Sequence, residues 1–254
     1  MDLDENVFHV DSAHYIFNKD TDEAYELPGD VFWKEYEKVG KYGQFKNFYI
    51  DEEDAQGSYR RFRDIDDLPM HQQPFIEDIQ AALNKEGWMG PSWNHFHHAV
   101  LNQRPVAVIT ARGHHPDTVS AGIDVFSQRG LLPTVPNYLD ILPVSHGDIS
   151  KKLGGGSVPE LKRKAIRHAV ELAFTTYGES DYHRFGMSDD DPRNVQKIIE
   201  EFIALKKDFP KNAFFIIETT RGHCNKWEIY PDHAEKTEMS LADQLTLFNE
   251  CHIE

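Results

Sequence analysis

Short, mostly apolar runs punctuate this chain, and such runs are typical of strands that are buried on both faces. They occur at residues 7–10, 106–109, 139–144, 184–187 and 213–217. Elsewhere, apolar side chains recur every three or four residues, which is the spacing of an amphipathic helix. These helical stretches lie at 74–83, 93–101, 116–129, 159–174 and 194–207. Strands that alternate with helices of this length predict an α/β fold whose sheet is mostly parallel and covered on both faces.

The stretch from residue 18 to residue 70 departs from this pattern. It is rich in charged and aromatic side chains, for example at 32–36 and 59–63, and Gly and Pro interrupt it repeatedly. No helical or strand period is sustained along it. We therefore predict a core formed by residues 1–17 and 71–254, with 18–70 as an inserted cap or extended loop region.

The charge balance of the chain disfavours some classes of binding partner. The chain has 43 acidic and 27 basic residues and a formal net charge of −16, and such a surface repels nucleic-acid backbones and anionic membranes. No apolar stretch approaches the roughly 18 residues that span a bilayer, and the acidic first residues do not resemble a signal peptide. The two cysteines, Cys224 and Cys251, are too few for a disulfide framework. We expect a soluble, cytoplasmic protein that binds neither nucleic acid nor membranes, and the sequence indicates no particular oligomeric state.

Polar residues directly follow three of the apolar runs. Asp11 follows the first run, Thr110 the second, and Asp189 with Asp190 a later one. Lys162 falls in the first turn of a predicted helix. In open α/β sheets, ligands bind beyond the carboxyl ends of the strands. This set of carboxylate, hydroxyl and ammonium groups predicts a site for a metal ion and a phosphate group.

Four segments of the chain resemble the motifs of the haloacid dehalogenase-like (HAD) superfamily of phosphotransferases and hydrolases. They follow one another in the order of that family, at residues 7–13, 108–113, 161–164 and 186–191. The resemblance covers about residues 5–17 and 90–220. It implies a Rossmann-like three-layer sandwich with a mostly parallel sheet, and a cap where the family often places one.

The resemblance also implies a catalytic role for the matching residues. Asp11 would be the nucleophile and would form an aspartyl-phosphate intermediate. Thr110 and Ala111 would bind the phosphate group. Lys162 would neutralise the charge of that group, with Lys164 as the neighbouring alternative.

A magnesium ion is the cofactor that the resemblance implies. Mg²⁺ would be held by the side chains of Asp11, Asp189 and Asp190 and by the backbone carbonyl of Ala13, because it prefers oxygen ligands. The expected function is a Mg²⁺-dependent hydrolase, most simply a phosphatase, acting on a small phosphorylated molecule such as a phosphoric monoester or an acyl phosphate.

One departure from the family pattern leaves alternatives open. HAD phosphatases usually carry a second Asp two residues after the nucleophile as general acid and base, and this chain has Ala13 there. The substrate could have a leaving group that needs no proton, or His14 could supply the proton. Alternatively, the protein is catalytically impaired and binds metal and phosphate without turnover. Cleavage of a carbon–halogen or carbon–phosphorus bond is also open, because family members with that chemistry lack the same Asp.

Overall fold

The computed structural model describes residues 1–52, 56–219 and 224–239, with Asp30 described only by its backbone. The chain divides into two compact units. The first unit comprises residues 1–9, 87–111 and the described residues from 126 onward. The second comprises residues 10–86 and 112–125, and so contains the whole stretch 18–70.

Strands and helices alternate along most of the described chain. The strands are β1 His14–Asn18, β2 Ala24–Leu27, β3 Phe48–Tyr49, β4 Val106–Thr110, β5 Tyr138–Pro143, β6 Arg184–Asp189, β7 Ala213–Glu218, β8 Asn225–Ile229 and β9 Ala234–Glu238. The α-helices are α1 Gly29–Glu35, α2 Pro74–Ala82, α3 Trp93–Leu101, α4 Pro116–Gln128, α5 Gly147–Lys152, α6 Val158–Tyr177 and α7 Pro192–Asp208. Short 3₁₀ turns lie at Tyr36–Lys38, Arg60–Phe62 and Met70–Gln72.

The first unit contains two sheets. β4 and β5 pair in parallel, and the second sheet has the order β6-β7-β8-β9, with β6 and β7 parallel and the other pairs antiparallel. The predicted α/β class is confirmed, and parallel pairing is present in both sheets. A Rossmann-like three-layer arrangement stays a prediction.

Helices α6 and α7 bury their apolar faces against these strands. Pro159 and Pro192 lie in the first turns of the two helices, where a missing N–H costs nothing. Asp191 caps α7 by accepting a hydrogen bond from the backbone N–H of Arg193 at 2.9 Å. The resulting core is continuous, and it includes Ile109, Leu142, Leu161, Ile166, Met187, Ile198, Phe202 and Ile216.

The strand predicted at residues 7–10 is wrong. Residues 5–7 instead form a turn, in which the backbone N–H of Val7 bonds to Leu3 O at 2.8 Å, and Phe8 makes isolated bridges to Asp4 and Met89. Val7 and Phe8 are nevertheless buried in the first unit. Burial alone produced the apolar run, and a run this short does not specify extended backbone.

The second unit has a small sheet and an apolar core of its own. β1 lies between β2 and β3, and both pairs are antiparallel. Ile16, Leu27 and Phe32 are central to a buried cluster that the partly buried Tyr59 also contacts. Among the described residues, no helix is long and apolar enough to cross a membrane.

Candidate metal centre

The first two residues of the chain lie between β4 and β6. The amine of Met1 donates to Ala107 O at 2.6 Å, and Ile109 N donates to Met1 O at 2.9 Å. On the other side, the backbone N–H of Asp2 donates to Ser188 O at 3.1 Å. These bonds place Asp2 beside the carboxyl end of β6.

A buried lysine joins Asp2 to the end of β6. Lys162 Nζ lies 2.8 Å from Asp2 Oδ2 and 2.8 Å from Asp189 Oδ2. All three side chains are almost fully buried. Burial alone would lower the pKa of Lys162, but the charges and hydrogen bonds of the two carboxylates outweigh it and raise that pKa. Lys162 is therefore a fixed positive charge inside the protein.

Three carboxylates converge at this point. Asp2, Asp189 and Asp190 each offer an oxygen atom, and these oxygens lie within 4.8 Å of one another. Burial raises the pKa of Asp2 to about 8, although Lys162 opposes the shift. Burial and the neighbouring Asp189 charge also raise the pKa of Asp190, to about 7. With one ammonium against three carboxylates, the cluster carries excess negative charge when ionised, which is the environment that suits a divalent cation with oxygen ligands.

Hydrogen bonds hold the carboxylate of Asp189 in position. Its Oδ1 accepts from Asn194 Nδ2 at 3.0 Å and from the backbone N–H of Asp191 at 3.1 Å. Both donors belong to the start of α7, so the same helix start that Asp191 caps also orients the carboxylate of Asp189.

The turn after Asp2 is held by the buried side chain of Asn6. Asn6 Nδ2 donates to Asp2 O at 2.9 Å and to Ser188 Oγ at 2.8 Å. Its Oδ1 accepts from Thr219 Oγ1 at 3.0 Å. One amide therefore ties the N-terminal turn to the ends of β6 and β7.

Several residues predicted from the sequence lie in the first unit. Lys162 and Asp189 are in direct contact, and Asp190 belongs to the same acidic group. Thr110 is fully buried at the end of β4, next in the chain to Ile109, whose N–H bonds to Met1, and Ala111 follows it as an exposed residue.

Of the two neighbouring lysines, only Lys162 contacts the acids. Lys164 Nζ instead donates to Gly155 O at 2.7 Å.

Asp11 and Ala13 belong to the second unit. The side chain of Asp11 is 79% exposed, and its Oδ2 lies 2.7 Å from Lys85 Nζ. Their assignment to the metal and to the nucleophile stays a prediction.

Sequence reasoning missed Asp2 and Asp4. The two residues have the Asp-x-Asp spacing of the first HAD motif, including the second acid that Asp11-Ser12-Ala13 lacks. Asp4 lies close enough to raise the pKa of Asp190. That spacing is the sequence signal for the two residues, whereas the apolar run at 7–10 favours Asp11.

The chain matches no protein-family model, no curated protein and no solved structure. The acidic cluster and Lys162 are therefore the features from which a function can be inferred.

Proposed function

We propose that this chain is a Mg²⁺-dependent phosphohydrolase of the HAD-like type, with Asp2 as its nucleophile. The observation that carries the proposal is the position of Lys162 Nζ, 2.8 Å from both Asp2 and Asp189. A nucleophilic carboxylate and an anionic phosphate repel each other, so this chemistry needs positive charge fixed beside the attacking oxygen. Lys162 supplies one such charge.

The donor set of the cluster fits Mg²⁺. The side chains of Asp2, Asp189 and Asp190 would hold the ion, and the family pattern adds a backbone carbonyl two residues after the nucleophile, which here is Asp4. Such an ion offsets charge on the phosphate oxygens and favours the ionised form of the buried carboxylates. Asp2 in particular needs this help, because burial holds its pKa at about 8.

Two balanced steps describe the proposed reaction. In the first, an Asp2 oxygen attacks phosphorus, the bond from phosphorus to the ester oxygen breaks, and the leaving alcohol takes a proton from Asp4. In the second, water attacks the aspartyl-phosphate as Asp4 takes up a proton, which frees Asp2 and releases inorganic phosphate. Lys162 would neutralise the transferring group, and Thr110 would bind one of its oxygens.

This assignment changes the meaning of Ala13. With Asp11 as nucleophile, the position of the general acid is occupied by Ala13, which favours binding without turnover. With Asp2 as nucleophile, Asp4 occupies that position, and turnover of ordinary phosphate monoesters is expected.

The test compares two Asp→Asn variants in release of phosphate from a generic aryl phosphate. We expect activity with Mg²⁺ and none with a chelator, at least a 1000-fold loss in Asp2→Asn as is common for removal of a nucleophile, and near-native activity in the matched control Asp11→Asn. Loss in Asp11→Asn with activity retained in Asp2→Asn would contradict the assignment. Mg²⁺ binding without turnover in the native protein would instead support the non-catalytic alternative.

A further inference from the structure

Residues 88–92 lie against the turn that carries Asn6. Gly90 N donates to Val7 O at 3.0 Å, and Ser92 N donates to Asn6 O at 2.8 Å. Gly90 itself is buried. A Cβ atom at residue 90 would collide with Asn6 O and would lie 2.7 Å from Asn6 C and 2.8 Å from Val7 C. These distances are well inside van der Waals contact, so only glycine fits at this position without a shift of the chain.

Space, rather than backbone freedom, is what requires glycine at residue 90. The φ angle of Gly90 lies outside the left-handed region that otherwise favours glycine. The atoms that a Cβ would meet all belong to backbone. A flexible side chain could turn away from a new methyl group, whereas a backbone segment has to move as a whole.

Both sides of this close contact are anchored in one aromatic cluster of the first unit. Phe8 follows the turn, and its ring centroid lies 5.1 Å from that of Phe126. Trp88 and Trp93 precede and follow the glycine in the chain, and their ring centroids lie 5.4 and 5.2 Å from that of Phe126. Close-packed interiors of this kind transmit a displacement rather than absorb it. Extra volume at residue 90 would therefore shift the turn.

A shift of the turn reaches Asp2 through the side chain of Asn6. Asn6 Nδ2 donates to Asp2 O at 2.9 Å, and the backbone N–H of Val7 closes the turn on Leu3 O at 2.8 Å. Leu3 lies between Asp2 and Asp4 in the chain. The turn thus holds the segment that carries both acids of the proposed reaction.

We infer that Gly90 is a positioning residue of the acidic cluster, because its missing side chain lets the turn lie where it holds Asp2 beside Lys162. Gly90 has no functional group and acts through Asn6. Catalytic groups have to be held within about 0.5 Å of their productive geometry, and a misplacement of about 1 Å can cost on the order of 100-fold in rate. The part of this inference that concerns turnover rests on the proposed function, whereas the placement of Asp2 does not.

The test adds one methyl group at residue 90 and measures release of phosphate from a generic aryl phosphate with Mg²⁺. Gly90→Ala should lower kcat by about 30- to 100-fold. KM should change by less than about threefold, because Thr110 and Lys162, which bind the phosphate group in the proposed reaction, belong to β4 and α6 and not to the turn.

Amide hydrogen exchange detects the same displacement without any catalysis. Val7 N donates to Leu3 O within the turn, and Ile109 N donates to Met1 O, which holds the first residues on β4. Gly90→Ala should speed exchange at both amides by at least about tenfold, because local opening becomes easier.

Two other glycine variants serve as matched controls. Gly147→Ala adds its methyl group in open space and should keep the native kcat and the native exchange rates. Gly122→Ala, in the second unit, places its methyl group 2.7 Å from the ring of Phe75. It should lower Tm and leave exchange at Val7 and Ile109 unchanged, which separates displacement of the turn from a general loss of stability.

A further variant perturbs the same contact without adding volume, for the case that Gly90→Ala does not fold. Trp88→Phe trims the ring that anchors residues 88–92 to Phe126. The segment should then recede from the turn, with a change in kcat and in exchange at Val7 and Ile109 that has the same direction and a smaller size.

Native exchange at Val7 and Ile109 in Gly90→Ala would overturn the inference whatever the activity. Faster exchange with an unchanged kcat would also overturn it, because turnover would then not depend on the position of the turn. If the native protein releases no phosphate, the proposed function fails. Exchange then decides the placement alone, since faster exchange in Gly90→Ala supports it and native exchange contradicts it.

Discussion

Lys162 Nζ lies 2.8 Å from Asp189 Oδ2, and this contact brings the first turn of α6 to the end of β6. Burying an ammonium is costly unless acids satisfy it. Here the carboxylates of Asp2 and Asp189 do so, and they in turn depend on Lys162 for charge compensation. The ion pair is thus both a structural element of the first unit and the basis of the proposed chemistry.

Replacing Lys162 by Met should destabilise the protein strongly. The substitution leaves the buried carboxylates of Asp2 and Asp189 without their cation, at a cost of about 3–5 kcal/mol in the free energy of unfolding. Urea denaturation measures this quantity. Lys164→Met is the matched control, because Lys164 is partly exposed and bonds only to the backbone of the glycine run. Equal losses in the free energy of unfolding would show that the buried ion pair contributes no more to stability than the contacts of Lys164.

Mg²⁺ should raise the thermal stability of the native protein through the acidic cluster. A ligand present at 100 times its Kd stabilises the folded state by about 2.7 kcal/mol, which corresponds to roughly 5–10 °C in Tm for a chain of this size. Asp189→Asn should abolish the shift, measured by calorimetry with and without the ion. Asp148→Asn, at a side chain that is 86% exposed, should retain it. If Mg²⁺ still raised the Tm of Asp189→Asn, the ion would bind at a site other than the acidic cluster.

His114 should make the second unit sensitive to acid. Its ring is fully buried, and neither ring nitrogen has a hydrogen-bond partner among the described residues. Burial, and then the positive charges of Arg112, Arg61 and Arg63, hold the pKa of His114 well below its usual value.

The sign of the pH effect follows from proton linkage. Below about pH 6.5 the unfolded chain binds a proton at residue 114 that the folded chain does not, so stability falls as pH falls, by up to about 1.4 kcal/mol per pH unit. His114→Phe should remove this component from the pH dependence of unfolding in urea. His115→Phe, at a side chain that is 53% exposed, should preserve the native slope. An unchanged slope in His114→Phe would show that the ring is protonated in the folded state.

Asn6 should matter to both stability and activity. Substitution by Ala removes the amide that bonds to Asp2 O, Ser188 Oγ and Thr219 Oγ1. Leaving buried polar groups without partners costs about 1–3 kcal/mol, and the turn that positions Asp2 would loosen. Denaturation and phosphate release should both decline, whereas the exposed Asn102→Ala should behave as the native protein. Native phosphate release by Asn6→Ala would show that the turn is not needed to position Asp2.

The periodic strands and helices are predictable from the sequence, because their buried faces require apolar residues at regular spacing. The apolar run before Thr110 is β4, and the helical spacing around Ile198 and Phe202 is α7. The sequence predicts that Lys162 lies in the first turns of a helix, and α6 has it there. These assignments needed only local periodicity and the preferences of helix ends.

Asp2 was not predictable in the same way. It is placed by three backbone hydrogen bonds from Met1 and Asp2 to distant strands, and the side chains around it form no run long enough to indicate a strand. The apolar residues at 7–10 predict a strand that is not there, because Val7 is buried at the end of a turn and Phe8 is buried next to it. Long-range pairing decides the position of Asp2, and a local pattern does not encode it.

The second unit is built from two separate stretches of chain, and this has a practical consequence. Gly113 N donates to Phe62 O at 2.7 Å, and Arg112 Nη2 donates to Ser12 Oγ at 2.8 Å, so residues 112–125 are bonded to residues 10–86. A protease that nicks the chain near residue 86 would not release this unit as one fragment. The nicked pieces should migrate together on a native gel and separate only in detergent.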